Sequence, residues 1–436
     1  VRNFGWLVAP SLIILIKQGW FLMLKKVIQN YVSTSHKKPI NILYTIPNFD
    51  TAGSQQVLYH LAHGMPKAMY NVHIACIHNK GYFFEKIKAL GLPIHLIPLG
   101  SPQLIHWRTP LLILKLARFI HKNKIDLVHS FQWSSDFTEA LGCILGGAKW
   151  VYTKKNQSWG NRSWIIKTFL ARGVVTINPQ MHKTFFPKKK RVHFIPCSVD
   201  LARFTPQPSK YSTTRALYAI EPFERVLISI ADVIPVKGPD LLIEAFFNLK
   251  STAHHLFFVG NIKHPYAQDL IQNLQTRPDF LSVQNEPNST LFDQTNPSLC
   301  LSFGKQKIHF LGKVSSVENY LYMADLFILP TLATGRSEAL GVALLEALAC
   351  GILSLGSRVP GIEFILEPYP DLLFEPGQVP ALENKIKWAL KMSPHNRQQL
   401  IESLHQRVNN MFNSQIELDK HRFFYQEVLK HPAQTL

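Results

Sequence analysis

The chain has 436 residues, 46% of them hydrophobic and 17% charged, which suits two ordinary domains and excludes a disordered chain. Five cysteines (76, 143, 197, 300 and 350) include no C-x-x-C pair and leave an odd count, so neither a disulfide framework nor a structural zinc site is indicated. The net charge of +19 is segregated: residues 1–205 hold 27 Lys and Arg against 6 Asp and Glu, and the remainder is nearly neutral. A basic half points to a polyanionic partner, whether nucleic acid, anionic membrane or acidic substrate.

In chain order, the first 49 residues contain no acid. Residues 6–24 are apolar save for Ser11, Lys17, Gln18 and Gly19, close to the length that crosses a bilayer, but Pro10 and Lys17 make a poor spanning helix. Arg2, Lys17, Lys25, Lys26, Lys37 and Lys38 punctuate or flank this stretch, and Trp6 and Trp20 suit an interface. Residues 1–38 therefore read as a segment associated with the cytoplasmic side of the cell membrane; a signal-anchor span and a helix packed on the first domain are the alternatives.

Pro39 opens the globular part. Residues 40–46 (INILYTI) predict a buried strand, followed by a loop containing Gly53 and a helix from Ser54 that turns Val57, Leu58, Leu61 and Ala62 inward. Strand-like segments at 72–77, 93–99, 126–131 and 151–156 alternate with helical ones, among them a basic amphipathic helix at 111–122. Such alternation predicts a parallel sheet with helices on both faces. His129 falls at the carboxyl end of its strand, where open α/β sheets bind ligands; a plain core histidine is the competing reading. After residue 206 the pattern repeats. A strand at 226–233 leads through Lys237-Gly238 to a helix opened by Pro239, and Lys237 is otherwise a solvated loop lysine. Residues 264–305, polar and rich in Asn and Gln, read as an inserted surface excursion. A polar helical end at 394–432 is expected to return to the first domain.

Within residues 336–363, RSEALGVALLEALACGILSLGSRVPGIE, Glu338 lies in a turn and Glu346 inside a helix over 342–350 that Gly351 stops. Glu346 shares its side with Ala343, Ala347 and Cys350: a carboxylate among small side chains, which needs donors such as sugar hydroxyls. The turn through Gly341 and Val342 brings backbone N–H groups to the positive end of the helix. A polyhydroxylated, anionic ligand fits all three features; a buried helix with one stray glutamate is the bland alternative.

The run E-A-L-G-V-A-L-L-E-A-L-A-C-G-I with V-P-G-I-E resembles the E-x7-E region of the retaining glycosyltransferases of family 4 (GT4), and the similarity covers about residues 40–430. The resemblance implies an α/β chain of GT-B type, with two Rossmann-like parallel-sheet domains facing a cleft. These are an acceptor domain at 39–205 and a nucleotide-sugar donor domain at 206–400, with residues 401–436 crossing back. It implies transfer of a sugar, with retention, from a nucleotide sugar, using no metal or other cofactor; no D-x-D occurs. The basic first half and the acid-free, Trp-bearing start point to a membrane-associated glycan or lipid-linked acceptor. By the same resemblance Lys237 offsets leaving-group charge, Glu338 orients the sugar and His129 meets the sugar or acceptor. Gly53, Gly341 and Val342 approach the donor and Glu346 holds its ribose. Five residues at four sites depart from the family pattern. Phe131 replaces a second histidine, Lys155 puts a permanent cation where T-x-H ends, Cys197-Ser198 replaces Asn-Gly, and Asp232 replaces an arginine. They leave open a catalytically silent, glycosyltransferase-like subunit that binds a nucleotide sugar or an active partner. The basic run 188–191 has no interleaved aromatics, so no nucleic-acid partner is expected.

Overall fold

The computed structural model describes residues 38–49, 53–81, 83–99, 109–158, 161–207, 209–250, 254–286, 298–335 and 337–430. The expected membrane-associated segment lies outside them except for Lys38, which is exposed. Among the described residues no helix is long and apolar enough to cross a membrane.

The first sheet contains β1 (Ile40–Ile46), β2 (Tyr70–Cys76), β3 (Ile94–Leu96), β4 (Leu127–Ser130), β5 (Lys149–Lys154), β6 (Gly173–Thr176) and β7 (Val192–Phe194). Their order is β3-β2-β1-β4-β5-β6-β7, and every pairing is parallel. Alternation along β1 explains the two covered faces. Ile42, Tyr44 and Ile46 join the core that contains Leu58 and Leu61 of helix Gly53–Gly64. Leu43 joins the core that contains Leu116 and Ile120 of helix Thr109–Lys122.

The second sheet contains β8 (Val226–Ile230), β9 (His255–Val259), β10 (Ser282–Glu286), β11 (Ser298–Phe303), β12 (Gln306–Phe310), β13 (Leu326–Leu329), β14 (Ser354–Ser357) and β15 (Leu373–Phe374), in the order β10-β11-β12-β9-β8-β13-β14-β15. The expectation of a surface excursion at 264–305 needs correction. Residues Pro265–Gln275 form an ordinary packed helix, and the sheet is extended by antiparallel pairing of β11 with β12 and of β10 with β11. This sheet is therefore mixed at one edge. Leu301 and Phe303 are buried within it, which the polar average of the stretch concealed.

The chain crosses back at its end. Val199 N–H donates to the Phe412 carbonyl (2.9 Å), and helix Ser414–Lys430 inserts Phe424, Tyr425 and Val428 into the first domain's core. Lys149 Nζ caps that helix at the Leu429 carbonyl (2.7 Å). The result is two Rossmann-like domains facing each other across a cleft lined by both, the GT-B arrangement.

Candidate functional site

The site is built on helix Val342–Ala349. Leu344, Leu345 and Leu348 anchor it in the core, and glycines with left-handed backbones bracket it, Gly341 (φ 79°) and Gly351 (φ 76°). Val342 and Ala343 begin the first turn, so their N–H groups have no carbonyl four residues back. The turn before the helix is pinned twice. Gly361 N–H donates to the Glu338 carbonyl (3.2 Å), and Asn178 Nδ2 of the first domain donates to the Ala339 carbonyl (2.6 Å).

Lys237 ends a single 3-10 turn, Pro235–Lys237, whose Val236 carbonyl accepts from Leu332 N–H (2.8 Å). Gly238 follows with φ 63°; a Cβ there would strike the Pro330 carbonyl. The Lys237 Nζ is ion-paired to Glu338 Oε2, both groups half-buried. Two residues 101 apart in sequence thus meet at the start of helix Val342–Ala349. A cavity of about 160 Å³ opens beside them, lined by Glu338, Gly341 and Val342 from the second domain and by Gly53, Ser54, Thr153 and Lys155 from the first. Among the described residues no group of His, Cys, Asp or Glu is placed to hold a metal ion.

Glu346 does not line this cavity. It lies one turn deeper, where burial raises its carboxyl to about 7; the Arg203 guanidinium lowers it and the Glu318 carboxylate raises it. Arg203 itself forks onto Glu318 (2.7 Å), tying the interdomain linker to the second domain. His129 also lies off the cavity wall. It is fully buried, with Nδ1 against Tyr425 OH (2.6 Å) and Nε2 against Thr153 Oγ1 (2.8 Å). Burial first, then His421 and Lys155, push its pKa well below the usual range, so the ring is neutral. Its route to the cavity runs through Thr153.

Lys155 corrects an expectation. It is no permanent cation: burial lowers its ammonium to about 7, Cys197 raises it and Lys167 lowers it further. Its Nζ donates to Ser54 Oγ (2.7 Å) and to the Phe131 carbonyl, joining the ends of β4 and β5 to helix Gly53–Gly64. Asp232 is exposed and accepts from Asn261 N–H (3.0 Å), so it serves the loop after β9 and does not touch Lys237.

Sequence reasoning missed His421, which lines the cavity from helix Ser414–Lys430 and is 1% exposed. Its Nδ1 faces the Glu417 carbonyl (2.9 Å), an obligate acceptor, so Nδ1 carries the proton. Burial lowers its pKa and keeps the ring neutral. Nε2 is then a buried acceptor with no partner among the described residues. No local pattern announces this residue, because the fold delivers it from the far end of the chain.

The family model for group 1 glycosyl transferases matches residues 213–407, and the model for Glycosyltransferase Family 4 matches residues 51–203, so only nine residues separate the two matches. The chain belongs to the family 4, group 1 glycosyltransferases. Among curated relatives, this glycosyltransferase-family chain is 26% identical over 216 residues to N-acetyl-alpha-D-glucosaminyl L-malate synthase of Bacillus anthracis, covering 49% of this chain and 48% of that protein. It is 27% identical over 208 residues to the GDP-mannose-dependent monoacylated alpha-(1-6)-phosphatidylinositol monomannoside mannosyltransferase of Corynebacterium glutamicum, covering 46% and 47%. The chain thus spans about half the length of these relatives. Anabaena HepE in complex with UDP-glucose superposes with a TM-score of 0.70 at 16% identity, over 89% of this chain and all of that one, a likeness of fold.

Proposed function

We propose that this protein transfers a sugar, with retention at the anomeric carbon, from a nucleotide sugar to a membrane-associated glycan or glycolipid on the cytoplasmic side of the membrane. The observation that carries the reading is the meeting of Lys237, Glu338 and the first turn of helix Val342–Ala349 beside a cavity shared by both domains. A leaving diphosphate develops negative charge, which Lys237 and the helix N-terminus are placed to offset without a metal. Glu338, partnered by the same lysine, can accept hydroxyls of the donor sugar, and Gly53 lets the opposite wall approach closely, its Cβ position being open. Glu346, one turn on, offers its carboxylate to the ribose. His129 acts through Thr153, orienting that hydroxyl toward the sugar or acceptor.

For the donor class, the support is a neighbour of the same fold bound to UDP-glucose. For the acceptor, it is the basic first half of the chain and a relative whose name specifies a phosphatidylinositol mannoside. Asp232, in the place of a family arginine, favours the second reading, a silent subunit that binds the donor without turning it over. The full chain is to be screened by thermal shift against UDP-, GDP- and ADP-sugars, and the hit then assayed for transfer and donor hydrolysis. A donor hit with transfer to lipid-linked acceptor supports the first reading, and a hit with neither reaction supports the second. Glu346→Ala should weaken the hit by about 1.5–3 kcal/mol, the range for hydrogen bonds to a charged group, and leave the fold intact. Unchanged affinity removes Glu346 from the donor site.

A further inference from the structure

Helix Ser163–Leu170 is built inside out. Lys167 points into the domain and is fully buried, while Ile165, Ile166 and Phe169 stand 65%, 45% and 74% exposed. The interior accommodates the lysine: Nζ donates to the Ser134 carbonyl (2.8 Å) and lies 4.8 Å over the Trp164 ring, with Glu139 supplying opposite charge. Burying an ammonium and exposing a phenylalanine are each unfavourable if the outside is water. They cease to be so if the outside is apolar.

The exposed residues are not isolated. Helices Thr109–Lys122, Thr138–Leu145 and Ser163–Leu170 pack in series on one face of the first sheet. The first two add Leu111, Leu114 and Leu145, each about half exposed or more. The only acidic side chain on these three helices, Glu139, is buried. Cations rim the apolar patch. Arg162 precedes the inverted helix, and Lys189 closes its other end by donating to the carbonyls of Thr168 (2.7 Å) and Ala171 (2.8 Å). That contact holds the run 188–191 against the helix. Lys188, Lys190 and Arg191 have no ion-pair partner among the described residues. An apolar centre ringed by unneutralised cations complements a bilayer whose surface is anionic and whose interior is hydrocarbon.

We propose that the outer face of helix Ser163–Leu170, with the adjoining run 188–191, is the surface by which the first domain docks on an anionic membrane, Phe169 and Ile165 entering the interface. This rests on the reading above that the acceptor is membrane-bound, and it places the contact on the folded domain itself, beyond any part played by residues 1–37. The loop after β4 bonds to this helix through the Ser134 carbonyl and Lys167, and it carries both Phe131, which lines the cavity, and Trp133, 60% exposed. The docking face is therefore joined to the cavity by that loop.

The test is vesicle co-sedimentation of the full chain with phosphatidylcholine alone and with phosphatidylcholine containing phosphatidylglycerol. Ile165→Glu/Phe169→Glu should reduce partitioning onto the anionic vesicles at least tenfold. Lys188→Glu/Lys190→Glu should reduce it several-fold and weaken its salt dependence. Both variants should keep the wild-type melting temperature and the donor-induced thermal shift. Unchanged partitioning of both folded variants overturns the proposal, as does equal binding to neutral vesicles, or retention of RNA or a protein partner by this face without vesicle binding. Transfer to detergent-solubilised acceptor, assayed in parallel, separates the two ideas. Loss of docking with transfer intact supports the surface, whereas normal docking without transfer to any lipid acceptor refutes only the acceptor reading.

Discussion

Lys237 and Glu338 are bonded to each other, so substrate must share or part that pair. In the role proposed for it, Lys237 gains most when charge accumulates on the leaving diphosphate, that is, in the transition state. Lys237→Ala should therefore lower kcat by about 10²–10³, the scale for losing one electrostatic group at developing charge, with a much smaller change in KM. A raised KM alone would mean that the lysine binds ground state and transition state equally. His421 differs, since its Nε2 is a buried acceptor with nothing bonded to it. A hydroxyl of sugar or acceptor entering the cavity would satisfy it, and His421→Phe should then cost about 1–2 kcal/mol in kcat/KM while the melting temperature holds or rises. A fall in stability without any kinetic effect would show that the ring serves packing alone.

At the scale of elements, the turn at 338–341 depends on the helix Pro360–Leu366 behind it. A Cβ on Gly361 would lie 2.5 Å from Leu340 N, against backbone that has nowhere to move except into the site. Gly361→Ala should cost about 1–3 kcal/mol of stability as an overpacked contact and weaken donor binding together with it. A destabilised variant with normal donor affinity would uncouple this turn from the site. Elements of this kind were legible in the sequence because their cause is local. Gly351 ends helix Val342–Ala349, Pro239 opens helix Pro239–Leu249, and β1 and β4 appear as short apolar runs within a residue or two of their bounds. The antiparallel pair β10–β11 was not legible, since the pairing of β11 with β12, and not the composition of the stretch, makes it a sheet edge. Gly53, Glu338, Gly341 and Val342 converge on the cavity from a pattern read locally, whereas the placement of His129 under Tyr425, 296 residues away, and the approach of His421 depend on the returning helix. Lys155 could be named from the sequence but its charge could not, because burial decides it.

For the whole molecule, the unusual feature is how many cations the first domain holds away from water. Burial lowers Lys154 and Lys155 to about 7 and Lys167 and Lys189 to about 8, from the ordinary 10.5. Between those values and 10.5 the unfolded chain binds more protons than the native one, so stability rises with pH. Below about pH 7 other groups compete. Buried Glu139 and half-buried Glu346, both raised by burial, favour the folded state at low pH and lose that contribution as pH climbs, while buried His129 and His421, lowered by burial, act in the opposite sense. Above about pH 8.5 the thiols of Cys76, Cys143, Cys197 and Cys350, all raised by burial, penalise the folded state as unfolded cysteines ionise. The lysines thus dominate from pH 7 to about 8.5. Melting temperature at constant ionic strength should increase across that interval, where a protein with solvated lysines would be flat. Each proton released in full corresponds to about 1.4 kcal/mol per pH unit. Lys154→Met/Lys167→Met should flatten the rise by removing two of the four contributors, whereas Lys188→Met/Lys190→Met, at exposed positions of the same basic face, should leave it intact. A wild-type profile that is level or falling between pH 7 and 8.5 would show that these ammonium groups stay charged in the folded domain, and that its interior near β5 is far wetter than its burial indicates.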